Sequence, residues 1–427
     1  MGFLAAGPGC VRNIPWRRRD FVEGLIGRGE LETYAEVILR LGANVQPGQT
    51  VLITGLIEHA YLLRILAERS YALGAGAAYV YYRDKHVVRS QLTLATADAA
   101  AARIDPWMKA ATDAAIAERW ATVDTTGDSR DNEFEGASPD RSSAWQANWC
   151  DQAFRTIDAG LSWTIAACPV PGWAQRVYGA PDLAPLWRDL RYVMRLDEAD
   201  PVAAWRARLD ELSAQAARLN EAAFTAVRFR GEDTDLLVTL HPDSVWQPAR
   251  YVTPWGVPYI PNLPTEEIYT TPDYRGVQGT VATTKPVLIN GVRVDGLVLR
   301  FEAGRIVDVA ARTGADAVRA QIAVDDGARR LGEVSLVDAS SRIGRLNRIF
   351  KDTLLDENAA CHIAWGLSCY ETLGEHLPAT NDERNARGVN MSRIHQDVMI
   401  GGPGVAVLGV TKEGAEVPVL LRERWQI

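Results

Sequence analysis

His395 and Asp397 stand two residues apart in the segment Ile394-His395-Gln396-Asp397-Val398-Met399-Ile400. On an extended strand, residues i and i+2 share a face, so this spacing presents an imidazole and a carboxylate side by side, a donor pair for a divalent ion. Glu333 lies inside an apolar strand pattern, Leu331-Gly332-Glu333-Val334-Ser335-Leu336-Val337. A buried acid there needs a partner or a bound cation. In Asn262-Leu263-Pro264-Thr265-Glu266-Glu267 the proline favours an extended approach. Neighbours on an extended chain face opposite ways, so only one of the two glutamates can join a common site. A fourth segment, Asp356-Glu357-Asn358-Ala359-Ala360-Cys361-His362, adds two acids and a histidine. Each segment alone has an ordinary reading: a surface pair, solvated acids, a helix start favoured by Asp and Asn, a core histidine. Their combination carries more than any one of them. The six histidines include no H-E-x-x-H pair, which removes the helical zincin arrangement. The five cysteines, at positions 10, 150, 168, 361 and 369, form no C-x-x-C pair, so neither a zinc knuckle nor a disulfide framework is indicated.

The elements that must position these residues can be read from periodicity. Residues 1–30 look like an irregular extension. From Leu31, apolar residues at 34, 35, 38, 39 and 41 follow helical spacing. A short apolar strand at 51–55, an amphipathic helix ending near Gly74 and a strand at 77–84 form a β-α-β unit, which implies parallel strands. No G-x-G-x-x-G follows the first of these strands, which argues against a dinucleotide site. Residues 95–150 are Ala-rich and read as largely helical, and Ser162–Ala167 reads as another buried strand entering a Pro/Gly loop. A long helix with i,i+4 charge pairs covers 200–224. Beyond it the texture changes to short alternating strands with turns at Asn290-Gly291 and Gly304, one helix near 313–330, and final strands at 398–402, 405–411 and 417–421. The expectation is an α/β domain with parallel strands over 31–225 and a mainly antiparallel α+β metal-binding domain over 226–427.

Composition sets limits. Lys+Arg number 46 against 54 Asp+Glu, a net charge of −8, and the only basic run is Arg17, Arg18 and Arg19. Nucleic acid is therefore not an expected partner. No apolar run approaches the roughly 20 residues of a membrane span, and the amino terminus lacks a secretory pattern. Irregular, unpaired cysteines fit a reducing compartment, so a cytoplasmic protein is expected.

The motifs together resemble those of the aminopeptidase T and aminopeptidase S family of dinuclear metallopeptidases, often called leucyl aminopeptidases. The similarity runs from about residue 31 to the end, through TYAEVILRLGANVQPGQTVLI, NLPTEEIYTTPDYRGVQGTVATTKP, LGEVSLVD, TLLDENAACHIAWG and SRIHQDVMIGGP. It implies Glu267, Glu333, His362, His395 and Asp397 as metal ligands, with Glu267 preferred over Glu266 by register. It also implies two divalent ions (zinc, cobalt, magnesium or manganese), a peptide or amino-acyl amide substrate, and a homodimer. Glu333 and Tyr370 carry the catalytic expectation, the first as a site carboxylate and the second as an oxyanion donor. One departure stands out. The family usually has a tyrosine seven residues after the first ligand histidine; here Cys369 occupies that place and Tyr370 follows. A different chemistry is also open at this stage. His362, His395 and Asp397 alone make the two-histidine, one-carboxylate set of non-haem iron oxygenases, including ring-opening dioxygenases. A hydrolase of a non-peptide amide, or a metal-stabilised binding module, are further alternatives.

Overall fold

A computed structural model describes residues 26–130 and 134–427. Most of the expected extension thus lies outside the described residues, but its last part does not: a helix already begins at Arg28 and runs to Val37, continuing as a π-helical turn over Ile38–Gly42. The first layer is a fully parallel five-stranded sheet. Its spatial order is Asn262–Leu263, Trp163–Ala167, Ala121–Thr126, Thr50–Leu56, Ala77–Arg83. Helices pack on it, and its core includes Tyr34, Ile53, Leu62, Val123, Trp173, Leu190 and Trp205. Parallel strands need covered faces, which is why the strand Thr50–Leu56 alternates buried Val51 and Ile53 with half-buried positions beneath helices.

Two larger antiparallel sheets and two two-stranded antiparallel ribbons make up the rest. The smaller of the two sheets has the order His395–Met399, His362–Gly366, Leu331–Leu336, Ile268–Thr270, Gln247–Pro248. The larger, of eight strands, starts from the expected hairpin Ala226–Arg230 and Asp235–Leu240. Asn290 and Gly291 both have positive φ and join Val287–Ile289 to Val292–Val294, as an Asn-Gly hairpin turn requires. Phe229, Val238, Phe301, Leu336 and Trp365 share the second core.

The structure adds detail to two sequence readings. The Ala-rich stretch is not all helix: Ala121–Thr126 is an inner strand of the parallel sheet. Its Thr and Asp content hid an alternating pattern in which Ala121, Val123 and Thr125 are buried. The division after residue 225 is also crossed. The helix Pro201–Ala222 gives Trp205 and Leu209 to the first core and Leu212, Ala216 and Leu219 to the second. Ile260, Leu263, Ile343, Phe350 and Leu355, all beyond 225, return to the first core.

Candidate metal centre

Strand register gathers the sequence-selected residues onto one face of the smaller sheet. Glu333 pairs with Ala364, which pairs with Asp397; Ser335 pairs with His362; Gly366 pairs with His395. Side chains two apart on a strand, and those directly opposite across strands, share a face. Glu333, His362, His395 and Asp397 therefore converge, and Glu267, just before the strand Ile268–Thr270, closes the group. Two glycines permit this close packing. A Cβ on Gly332 would lie 2.2 Å from the Leu367 carbonyl oxygen, and one on Gly366, whose φ is +102°, would lie 2.1 Å from that of Ile394.

The carboxylate of Glu333 lies between the two imidazoles. Its Oε1 is 3.6 Å from His362 Nε2 and its Oε2 is 3.2 Å from His395 Nε2. Glu267 Oε2 lies 3.0 Å from His362 Nε2, and Asp397 Oδ1 lies 3.4 Å from His395 Nε2. The opposite ring nitrogens face backbone carbonyls. His362 Nδ1 is 3.1 Å from the Glu357 oxygen, and His395 Nδ1 is 2.8 Å from the Leu367 oxygen. An Nδ1–H donating there leaves each Nε2 lone pair directed at the carboxylates. Burial by itself would raise Glu333, yet the hydrogen bonds and charges of the two histidines hold its carboxyl well below the usual range. Burial would likewise lower both histidines, but the facing carboxylates outweigh it and push them well above the usual imidazole value.

The neighbouring residues sort by the same geometry. Glu266 points away: its fully buried carboxylate accepts from Arg208 Nε at 2.6 Å and Arg195 Nη2 at 2.8 Å. It is not free to take a substrate amine. Ser335 Oγ donates to Glu267 Oε2 at 2.7 Å and so fixes the acid that faces the histidines. Asn358 ties the two segments together, accepting from the Glu266 N–H at 2.7 Å and donating to the Leu354 carbonyl at 2.9 Å. Glu357, which the sequence offered as a helix start, is a buried acid at this centre. Burial, then the charges of Asp397 and Glu267, push its carboxyl well above the usual range.

The expectation for Tyr370 meets a different placement. Its hydroxyl donates to Asp158, and Arg384 stacks on its ring. The thiol of Cys369 takes the inward position instead, donating to Glu333 Oε2 at 3.0 Å. Burial and the Glu333 charge push that thiol up. The 3-10 turn Tyr370–His376 begins directly after Cys369, and the two neighbouring side chains go to different partners, Glu333 and Asp158. Tyr251, which no motif marks, and Tyr269, which lies in the NLPTEEIYTTPDYRGVQGTVATTKP segment without a role assigned to it, form a hydrogen-bonded set with Glu371 beside Cys369. Tyr251 donates to Glu371 Oε1 at 2.5 Å, and Tyr269 lies 3.1 Å from the same oxygen.

Does this donor set suit divalent ions? Two imidazole lone pairs aimed at carboxylate oxygens repel unless a proton or cation lies between them. Ligands roughly 2.0–2.2 Å from one ion stand about 3–3.6 Å apart, and the facing donors here are 3.0 to 3.6 Å apart. The four acids Glu267, Glu333, Glu357 and Asp397 bring four negative charges when ionised, matched by two divalent cations. The residues fit. The chain as a whole is matched from residue 28 to 425 by the sequence model of one family, described as thermophilic metalloprotease (M29). The chain belongs to this family.

As a member it is a metal-dependent aminopeptidase, and its relatives span its length. Aminopeptidase T of Thermus aquaticus is 38% identical, with 93% of this chain and 98% of that one covered. Aminopeptidase PepS of Streptococcus thermophilus is 34% identical, with 93% and 98% covered. The solved structure of wild-type AmpT from Thermus thermophilus superposes with a TM-score of 0.82 at 34% identity, covering 93% of this chain and 99% of that one. The expected family, the α/β fold class and the hydrolase class therefore hold for this aminopeptidase, and the ring-opening dioxygenase alternative falls away.

Proposed function

We propose that this metallo-aminopeptidase removes the amino-terminal residue of peptides or amino-acyl amides with two divalent ions held by Glu267, Glu333, His362, His395 and Asp397. The observation that carries the proposal is Glu333, one of whose oxygens faces each histidine. Glu333 would hold metal beside both imidazoles, with Glu267 on the His362 side and Asp397 on the His395 side. When bound, such ions supply Lewis acidity for the scissile carbonyl and an activated water. The chain's own residues prepare the site. The carbonyl-bound Nδ1 positions hold both imidazoles inward, and Ser335 keeps Glu267 on the His362 side. Glu267 and His362 are buried, whereas the His395 and Asp397 side chains keep 24% and 15% exposure, so substrate approaches from their side.

Zinc, cobalt, magnesium and manganese all belong to this reading. Within it the enzyme is also cytoplasmic and homodimeric and takes neither nucleic acid nor membrane as a partner. A net charge of −8 and the free thiols of Cys150, Cys168, Cys361 and Cys369 support the first and the lack of nucleic acid. No described helix is long and apolar enough to cross a membrane. The test is metal analysis of chelator-free protein together with hydrolysis of a free and an N-acetylated peptide. Two equivalents per chain and cleavage of the free peptide alone are expected, and Glu333→Gln should lose metal and activity together. One equivalent per chain, or equal cleavage of both peptides, would overturn the proposal.

A further inference from the structure

We propose that Cys369 is a thiolate ligand to the ion on the His395 side, and that it makes this half of the centre prefer thiophilic metals. The inference rests on the metal-pair reading above and narrows the metal identity it leaves open. Three donor atoms meet here: the sulfur of Cys369, a carboxylate oxygen of Glu333 and a nitrogen of His395 all lie within 4.8 Å of one another. The sulfur is 3.0 Å from Glu333 Oε2, the same oxygen that lies 3.2 Å from His395 Nε2. Such spacing suits a shared ion, with Zn–S near 2.3 Å and Zn–N or Zn–O near 2.0–2.2 Å.

The thiol is positioned by its backbone rather than left to swing. The Cys369 N–H donates to the Gly332 carbonyl at 3.3 Å. Its own carbonyl accepts from Thr271 Oγ1 at 2.7 Å and Thr372 Oγ1 at 3.0 Å. The other described cysteines behave differently. Cys361 spends its thiol on the Val337 carbonyl at 3.4 Å, and Cys168 sits in the apolar core. Only at Cys369, among the described residues, does a thiol donate to an acid that also faces two imidazoles.

The step is a coordination, with no change of oxidation state. The S–H bond gives its proton to solvent, and the thiolate lone pair forms the bond to the ion. A set of carboxylate and imidazole donors leaves magnesium and manganese admissible, although its imidazoles already lean toward zinc. A thiolate shifts the preference toward zinc or cobalt. The consequence is an asymmetric pair, with an oxygen-and-nitrogen set on the His362 side and a sulfur-containing set on the His395 side.

Cobalt(II) substitution of the full-length protein tests this. Visible d–d absorption reports cobalt in the centre, and near-ultraviolet thiolate-to-cobalt charge transfer reports sulfur bound to it. The wild type should show both. Cys369→Ser and Cys369→Tyr should keep the visible bands and lose the charge-transfer band. In Cys369→Ser the preference for zinc over magnesium should fall at least about tenfold, the low end for loss of even an outer partner of a metal site. A second measurement needs no variant: zinc should protect Cys369 of the wild type from alkylation, and magnesium should not. Visible bands without charge transfer, charge transfer that persists in Cys369→Ser, or equal protection by both metals would overturn the inference and leave the metal pair standing. A wild type that takes up no cobalt would overturn the metal-pair reading itself.

Discussion

Replacing Arg208 by methionine should destabilise the metal-free protein by about 3 kcal/mol. Glu266 has a side chain with 0% exposure, and its charge is offset by Arg208 at 2.6 Å and Arg195 at 2.8 Å. Removing one partner of a buried pair costs about 3–5 kcal/mol, because the remaining charge is left short of compensation. Arg195 still serves one oxygen, which puts the expectation at the lower end, roughly a hundredfold in the folding equilibrium. An internal comparison separates burial from contact length. Arg250 and Asp210 pair at 2.9 Å with side chains 49% and 71% exposed, so Arg250→Met should cost at most about 1 kcal/mol. Urea unfolding of both variants gives the two numbers on one scale. Adding Glu266→Gln to Arg208→Met should recover much of the loss, since a neutral amide is cheaper to bury than a charge. If Arg208→Met costs no more than Arg250→Met, or if the second substitution adds a full cost of its own, the account of this cluster is wrong.

Asp397→Asn should lower metal affinity at least about tenfold, whereas Gln396→Asn should be nearly silent, since Gln396 faces the other way and accepts from Gln321 at 3.1 Å; equal losses in a metal titration would refute the strand placement. Tyr370→Phe should change kcat by no more than a few fold, because its hydroxyl serves Asp158; a loss of about 10²-fold or more would show that the phenol acts in the reaction after all. Asp352 gives a pH signature. Burial, then Asp128 and Asp356, raise its carboxyl from 3.8 to about 7, so the folded state holds the proton more tightly and stability falls as pH rises between those values. Asp352→Asn should therefore raise the melting temperature increasingly from pH 5 to pH 8, worth up to about 4 kcal/mol at the upper end, and a gain independent of pH would contradict the cause given.

Much of the centre was legible in the sequence because strand periodicity carries facing. His395 and Asp397 share a face by spacing alone, and Glu333 stands out as an acid in an apolar strand. The choice of Glu267 over Glu266 was not available locally. It is made by Arg195 and Arg208, which lie 71 and 58 residues away. Glu357 looked like an ordinary first-turn acid, but the helix is Thr353–Glu357, so it stands at the carboxy-terminal end, beside the proposed ligands. Tyr370 was misplaced for a related reason: a short 3-10 turn has no periodicity from which facing can be read. The missed strand Ala121–Thr126 shows the same limit from the other side, because pairing on both edges let a polar sequence serve as an inner strand.

The edge strand Asn262–Leu263 bears on how this enzyme could be divided. It adds to the parallel sheet beside Ile165 and Ala166, and the chain then reaches Glu267 within a few residues. Every proposed ligand lies after residue 225, so a truncated gene would still encode the whole donor set. The shortened product would nevertheless expose Ile260, Leu263, Phe350 and Leu355, whose packing partners had been deleted. The strand Asn262–Leu263 upstream of Glu267 would lose its partner, although Ile268–Thr270 just after Glu267 would keep both of its own. Possession of the ligands and possession of the site are separate properties here, because the amino-terminal half holds the segment leading into Glu267, by pairing with Asn262–Leu263 and by the Arg195 and Arg208 contacts to Glu266.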